Sequence, residues 1–200
     1  MTHAEAAEIV RAAFRRVHGR APSTRERLYT QAVAALETGY GRAGQFGRLA
    51  AQGRYNWGAL ETRRLPDGTC PAGTAAGTDQ GAVCFYVFPD DVSAATEFVR
   101  VLTARRPHVL RAMQSGTPSD VARAMRQSPA YYEGVGATTE EKIAGYARAI
   151  TARIGEIGEA VPTKVAAAAL FPFVLAAGAG LAYWWWSTRE QGRSRARRAA

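Results

Sequence analysis

The chain has 200 residues, 47% hydrophobic and 22% charged, with 20 glycines and 9 prolines. That is the composition of an ordinary globular domain with room for one appendage, and it excludes a repeat-built, collagen-like or low-complexity chain. The net charge of +9 suits an anionic polymer such as a bacterial wall, a nucleic acid or an anionic membrane surface, and excludes none of them by itself.

The first helix is announced by Thr2 and Glu5, a capping-box pair, followed by Ile9, Val10, Ala13, Phe14 and Val17 at helical spacing and closed by Gly19. The segment Met1 to Val10 carries Glu5 and Glu8 and no apolar run, so it is not expected to act as a signal peptide. Ser23 and Glu26 repeat the capping pattern after Pro22. The second helix is predicted to run to about Glu37, with Leu28, Ala32, Val33 and Leu36 inward, and to stop near Gly39.

Residues 39–84 are rich in Gly, Arg and Thr. Two apolar pieces, Trp57 to Leu60 and Val83 to Phe88, bracket Pro66-Asp67-Gly68 and Gly73 to Gly81, which predicts a small β-hairpin or two extended segments. Cys70 and Cys84 flank the same stretch, and a bridge between them would suit an extracytoplasmic domain. Asp90 or Asp91 can cap a helix carrying Val92, Ala95, Val99 and Leu102. Pro107 opens a short helix, and Thr117 with Pro118 and Asp120 opens another. Thr138 and Glu141 start a longer helix with Ile143, Tyr146, Ala147, Ile150, Ile154 and Ile157 on one face, ending before Pro162.

Val165 to Trp186 contains no charge. About 22 residues rising about 1.5 Å each cover about 33 Å, enough for a bilayer core of about 30 Å. Tyr183, Trp184, Trp185 and Trp186 stand at one end, at the depth where amphipathic rings settle. Five arginines against Glu190 follow, which by the positive-inside rule puts the C-terminus inside and the N-terminal domain outside. The sequence therefore divides into a domain at 1–161, a membrane anchor at 162–188 and an Arg-rich tail at 189–200. The tail contacts anionic lipid or, in a virus particle, nucleic acid. Ala176 and Gly180 form a small-xxx-small pair able to pack a partner helix.

Glu37-Thr38-Gly39-Tyr40-Gly41 places a carboxyl on the last turn of an apolar helix, where burial raises its pKa and suits it to protonate a glycosidic oxygen. Tyr55-Asn56-Trp57-Gly58-Ala59-Leu60 offers an aromatic beside an amide: Trp57 to stack on a pyranose, Asn56 to bond an N-acetyl group, or Trp57 simply to fill the core. His3, His18 and His108 are scattered, without metal-ligand spacing, and read as surface residues. No phosphate loop is present, and neither metal nor cofactor is expected.

Those two motifs in series resemble the active-site pattern of bacterial cell-wall N-acetylglucosaminidases and related lysozyme-like lytic enzymes. Phe85-Tyr86-Val87-Phe88-Pro89-Asp90 is similar to their Phe-Arg-x-Tyr-x-Ser strand, with Tyr86 standing in place of the Arg. Tyr131-Tyr132-Glu133-Gly134-Val135-Gly136 is similar to their late Tyr-bearing segment, and the helix with Ile143, Tyr146 and Ala147 to the helix that follows it. The resemblance covers roughly residues 8–157. It implies a mainly α, lysozyme-like helical fold with a β-hairpin lobe that cuts β-1,4 links in peptidoglycan. Glu37 would be the general acid. Tyr40, Asn56, Trp57 and Tyr131 or Tyr132 would line the cleft. Asp79 would be the second carboxylate, with Glu61 the other candidate. A second carboxylate within reach implies hydrolysis; without one, Glu37 acts alone and the sugar's own hydroxyl attacks, as in lytic transglycosylases. The expectation is a membrane-anchored peptidoglycan glycosidase or transglycosylase of a bacterial envelope or a virion. Its rival is a non-catalytic envelope or virion module on the same fold.

Overall fold

The computed structural model describes residues 1–77, 83–127 and 138–159. The described elements fall in one compact unit, Met1–Val161. Asp79, Tyr131, Tyr132, the apolar stretch at 165–186 and the arginine tail lie outside the described residues. Among those that are described, no helix is long and apolar enough to cross a membrane.

The unit is mainly helical. Helix α1, His3–His18, carries the Thr2/Glu5 capping box and ends at Gly19 in the left-handed region. Helix α2, Thr24–Thr38, carries the Ser23/Glu26 box and ends at Gly39, φ 56°. Both starts follow the sequence signals, because a capping box satisfies two helix-end donors with local side chains and needs no tertiary help. Helix α3, Gly44–Ala50, has no side-chain cap, which is why the sequence reading passed over it.

Strands β1 (Glu61–Arg63), β2 (Thr74–Ala76) and β3 (Val83–Tyr86) follow. They form an antiparallel sheet in the order β1-β3-β2, with Glu61 opposite Phe85 and Ala75 on Phe85's other side. The expected hairpin is thus corrected to three strands: β2 rises from the Gly/Thr-rich stretch and adds to the free edge of β3. Trp57 to Leu60 is a turn rather than an extended segment, with β1 starting one residue later. Cys70 and Cys84 are bridged, with Cα atoms 5.7 Å apart, and the link fastens the loop before β2 to the central strand.

Helix α4, Asp91–Val99, is capped by Asp90 and continues into a π-helical stretch, Arg100–Ala104. Helices α5 (Pro107–Ser115), α6 (Pro118–Arg126, capped by Thr117 and Asp120) and α7 (Thr139–Glu159) complete the unit. Helix α1 packs on α4, and α7 packs on both α2 and α6. Ala6, Val10, Ala13 and Phe14 of α1 and Ala94, Ala95 and Phe98 of α4 share one buried core with Val33, Leu102, Met113 and Ile150. Burying each large apolar side chain of that set contributes about 1.5–3 kcal/mol.

Glu26 makes the start of α2 tertiary as well as local. It is 1% exposed, and Arg20 reaches both its oxygens, at 2.8 and 2.5 Å, while Gln114 of α5 donates to Oε1 at 2.9 Å. The Arg20 guanidinium, opposed by burial and helped by Gln114 and Ser23, holds the carboxyl down at about 2. Its folded pKa is depressed, so the stability it supplies is present above the ordinary carboxylate range and is lost as pH falls through about 2.

Two outcomes follow for stability. Replacing Cys70 and Cys84 together by serine should cost about 3 kcal/mol in denaturant melts, the loop-closure value for about 15 residues. Arg20→Ala should cost about 2 kcal/mol near neutral pH, as expected for removing charged hydrogen bonds from a buried acceptor; an unchanged midpoint would show that Glu26 does not depend on Arg20.

Candidate active site

The site is built on the end of α2. Helix geometry places Glu37 on the last turn, and Thr38 is the final helical residue before Gly39. Glu37 is half-buried against α7, where the buried Tyr146 donates its hydroxyl to Glu37 Oε1 at 2.6 Å. Oε2 has no hydrogen-bond partner among the described residues. Burial raises the Glu37 pKa, and the Tyr146 hydrogen bond opposes that rise without cancelling it. The shift is towards the neutral, proton-carrying form, the state that a general acid needs.

The two sequence motifs meet at this point. The Thr38 hydroxyl donates to the Trp57 carbonyl at 2.8 Å and accepts from the Gly41 amide at 2.9 Å. Gly41 lies so close to the second motif that a Cβ there would stand 2.8 Å from the Asn56 carbonyl oxygen. Tyr40 packs its ring on Trp57, centroids 5.5 Å apart. Tyr40 (φ 58°) and Ala59 (φ 49°), one in each motif, are the positive-φ residues other than glycine among the described residues. Strain of this kind persists where the surroundings over-determine the backbone, and it collects at functional sites.

The roles expected for three residues are corrected. Asn56 is fully buried, and its side chain is spent on its own chain. Nδ2 donates to the carbonyls of Leu60 and Tyr86, both at 2.9 Å, while Oδ1 accepts from the amides of Gly58 and Leu60. An amide so occupied shapes the turn and is not free for an N-acetyl group. Trp57 is also fully buried, its indole N–H donating to Asp91 Oδ1 at 2.9 Å, so it serves the core and cannot stack on a sugar. Tyr40 is buried with its hydroxyl 2.8 Å from His3 Nδ1, and burial pushes its phenol well above the usual range. These residues pack around the turn that follows Glu37.

Glu61, exposed at the start of β1, remains accessible and stands opposite Phe85, whose ring packs edge-on against Phe46 of α3 at 5.0 Å. Asn56 pins both backbone groups of the preceding residue, Leu60. The histidines are not free surface groups. His3 meets Tyr40, His18 Nε2 meets Thr103 Oγ1 at 2.8 Å, and His108 Nε2 lies 3.0 Å from the Ala124 carbonyl.

Tyr146 is the site residue that sequence reasoning placed only in the apolar stripe of α7. The available signal was a hydroxyl-bearing ring in a row otherwise of Ile and Ala; a buried tyrosine tip needs a partner. Neither family models, curated proteins nor solved structures offer a match to this chain.

Two titrations check the electrostatics. Tyr146→Phe removes a donor that favours the carboxylate, so NMR titration of labelled glutamates should find the Glu37 pKa higher still; a fall would contradict the assigned contact. Because the folded pKa is raised, the stability contributed by protonated Glu37 is present below the ordinary carboxylate range and lost as pH rises through the folded value. Glu37→Gln should therefore melt at or above wild type at about pH 8, and the difference should vanish at about pH 4.

Proposed function

We propose that the chain is a membrane-anchored, peptidoglycan-cleaving glycosidase or lytic transglycosylase with Glu37 as its acid. One observation carries the reading: a half-buried carboxyl on the last turn of α2, held by the Tyr146 hydroxyl, whose other oxygen has no hydrogen-bond partner among the described residues. Glycosidic cleavage needs a carboxylic acid that is still protonated near neutral pH beside the leaving oxygen. Glu37 gives its proton to that oxygen as the C1–O bond breaks. Its conjugate base then takes a proton from the attacking group, a water in hydrolysis or the sugar's own hydroxyl in transglycosylation.

A lysozyme-like arrangement is supported by a small sheet inserted between the acid's helix and α4, and by the contact of the Glu37 and Asn56 motifs. Glu61, exposed on β1, and Asp79 are the candidates for the second carboxylate. Tyr131 and Tyr132 remain candidates for the cleft. The uncharged stretch 165–186 holds the enzyme to a bilayer, with residues 1–161 outside and the arginine tail inside against lipid headgroups or a packaged genome. A disulfide in the N-terminal unit agrees with that placement.

A second reading, a non-catalytic wall-binding or virion module, is favoured by the burial of Tyr40, Asn56 and Trp57, which removes three expected sugar contacts.

Zymography on purified bacterial wall decides between the two. The wild-type chain should clear the wall and Glu37→Gln should lose at least about 10²-fold in rate, the usual scale of a general acid. Clearing by Glu37→Gln at the wild-type rate would remove Glu37 from the chemistry. Mass spectrometry of the products then separates reducing ends from anhydro-sugars. Loss on Glu61→Gln or Asp79→Asn marks the second carboxylate, and no clearing by any form supports the binding module.

A further inference from the structure

Asp91 is the first residue of α4 and has no place in the chemistry above. Its carboxylate nonetheless holds two residues that flank Glu37's turn. Oδ1 accepts the Trp57 indole N–H at 2.9 Å, and Oδ2 accepts from Arg42 Nη2 at 2.7 Å. Each of those residues is bonded in turn to Thr38. The Thr38 hydroxyl donates to the Trp57 carbonyl at 2.8 Å, and the Arg42 amide donates to the Thr38 carbonyl at 2.9 Å. Asp91, Trp57, Thr38 and Arg42 thus form a closed ring, and Thr38 is the covalent neighbour of Glu37.

We propose that Asp91 is a positioning residue for Glu37, acting through this ring to lock the last turn of α2 against the turn at 56–60 and the start of α4. The inference rests on Glu37 being the acid of the proposed reaction.

Three features support it. First, both bonds are of the strong kind, a carboxylate receiving an ion pair and an indole donor that is fully buried and would otherwise be orphaned. Second, the ring is braced on both sides. The Arg42 guanidinium lies over the Tyr55 ring at 4.9 Å, and Tyr55 exchanges two backbone hydrogen bonds of 3.0 Å with Phe88, just ahead of α4. Third, the braced segments contain both strained residues, Tyr40 and Ala59. On the α4 side there is no slack either: a Cβ on Gly58 would stand 2.1 Å from the Phe98 ring. Breaking the ring at Asp91 frees the Trp57 indole and the Arg42 guanidinium together, so the α2 terminus keeps its own Thr38 bonds but loses both links to the start of α4.

The test compares Asp91→Ala, Asp91→Asn, Trp57→Phe and Arg42→Gln in the full-length chain, with two readouts: steady-state cleavage of purified wall, and NMR titration of Glu37, assigned by the signal missing in Glu37→Gln. Asp91→Ala should lower kcat by about 10²-fold with KM nearly unchanged, the scale of a catalytic group displaced by about 1 Å. Water admitted to the loosened turn should lower the Glu37 pKa towards its ordinary value. Asp91→Asn keeps an oxygen for the indole and should recover much of the loss. Trp57→Phe keeps the ring but not the N–H, so it should follow Asp91→Ala, and it carries the test if that variant fails to fold. Arg42→Gln should give a smaller loss than either.

A folded Asp91→Ala variant with wild-type kcat and an unshifted Glu37 would overturn the proposal, as would an Asp91→Asn variant no better than Asp91→Ala. If the wild-type chain cuts no wall but Asp91→Ala still shifts Glu37, the enzymatic reading falls and the positioning role stands. If the wild type cuts and the variants match it in both readouts, the positioning role falls and the enzyme stands.

Discussion

A helix that ends inside a protein leaves its last carbonyls without intrahelical partners, and α2 ends inside this one. The chain answers by turning sharply through Gly39 and Tyr40 so that later amides come back to those carbonyls. Gly39 donates to Ala35, Tyr40 to Ala34, and Arg42 and Ala43 both to Thr38. The Thr38 side chain adds a bond to the second motif, which no backbone group of α2 could make. Everything near Glu37 depends on this termination. It fixes the turn carrying the carboxyl, it delivers Tyr40 to the core, and it brings residues 41 and 56 within van der Waals contact.

The Glu37 carboxyl owes its character to a second helix. Without α7, Glu37 would be a solvated residue at a helix end, with the ordinary affinity of a carboxylate for its proton. Packing of α7 on α2 removes water from it and supplies a single hydroxyl as compensation. One neutral donor favours the charged form less than the lost hydration did, so the net shift of the Glu37 pKa is upward. Glu26, about three turns earlier on the same helix, shows the opposite outcome. It is buried more completely, yet a guanidinium, an amide and a helix-end N–H keep it ionised. Two carboxyls on one helix are thus driven in opposite directions by their partners.

The small sheet plays a supporting part. Its central strand is held by β1, by β2, by the Cys70–Cys84 bridge and, through the Tyr86 carbonyl, by Asn56. Asn56 is therefore the joint between the sheet and the turn that ends α2. Such a joint has to be rigid if an exposed residue of β1, Glu61, is to keep a constant relation to the acid. A polar side chain with all of its donors and acceptors used achieves that better than apolar packing, since every bond has a direction.

Local chemistry was enough to determine the helix starts at Thr2, Ser23 and Thr117, the stops at Gly19 and Gly39, and the helical character of the unit, because caps and periodicity act within a few residues of chain. It was also enough to single out Glu37, Trp57 and Asn56 as unusual. What those residues do was decided by tertiary structure. Whether an aromatic faces a sugar or the core, whether an amide is free or fully bonded, and whether a carboxyl keeps its water all depend on segments far away in sequence. Asp91 takes the Trp57 indole from 34 positions away, and Tyr146 takes the Glu37 carboxyl from 109. The third strand was hidden for the same reason. Thr74 to Ala76 has little pattern of its own and becomes a strand only because β3 offers it an edge. Hydrogen bonds and burial are properties of pairs, and a chain read one residue at a time names the members of a pair without saying that they meet.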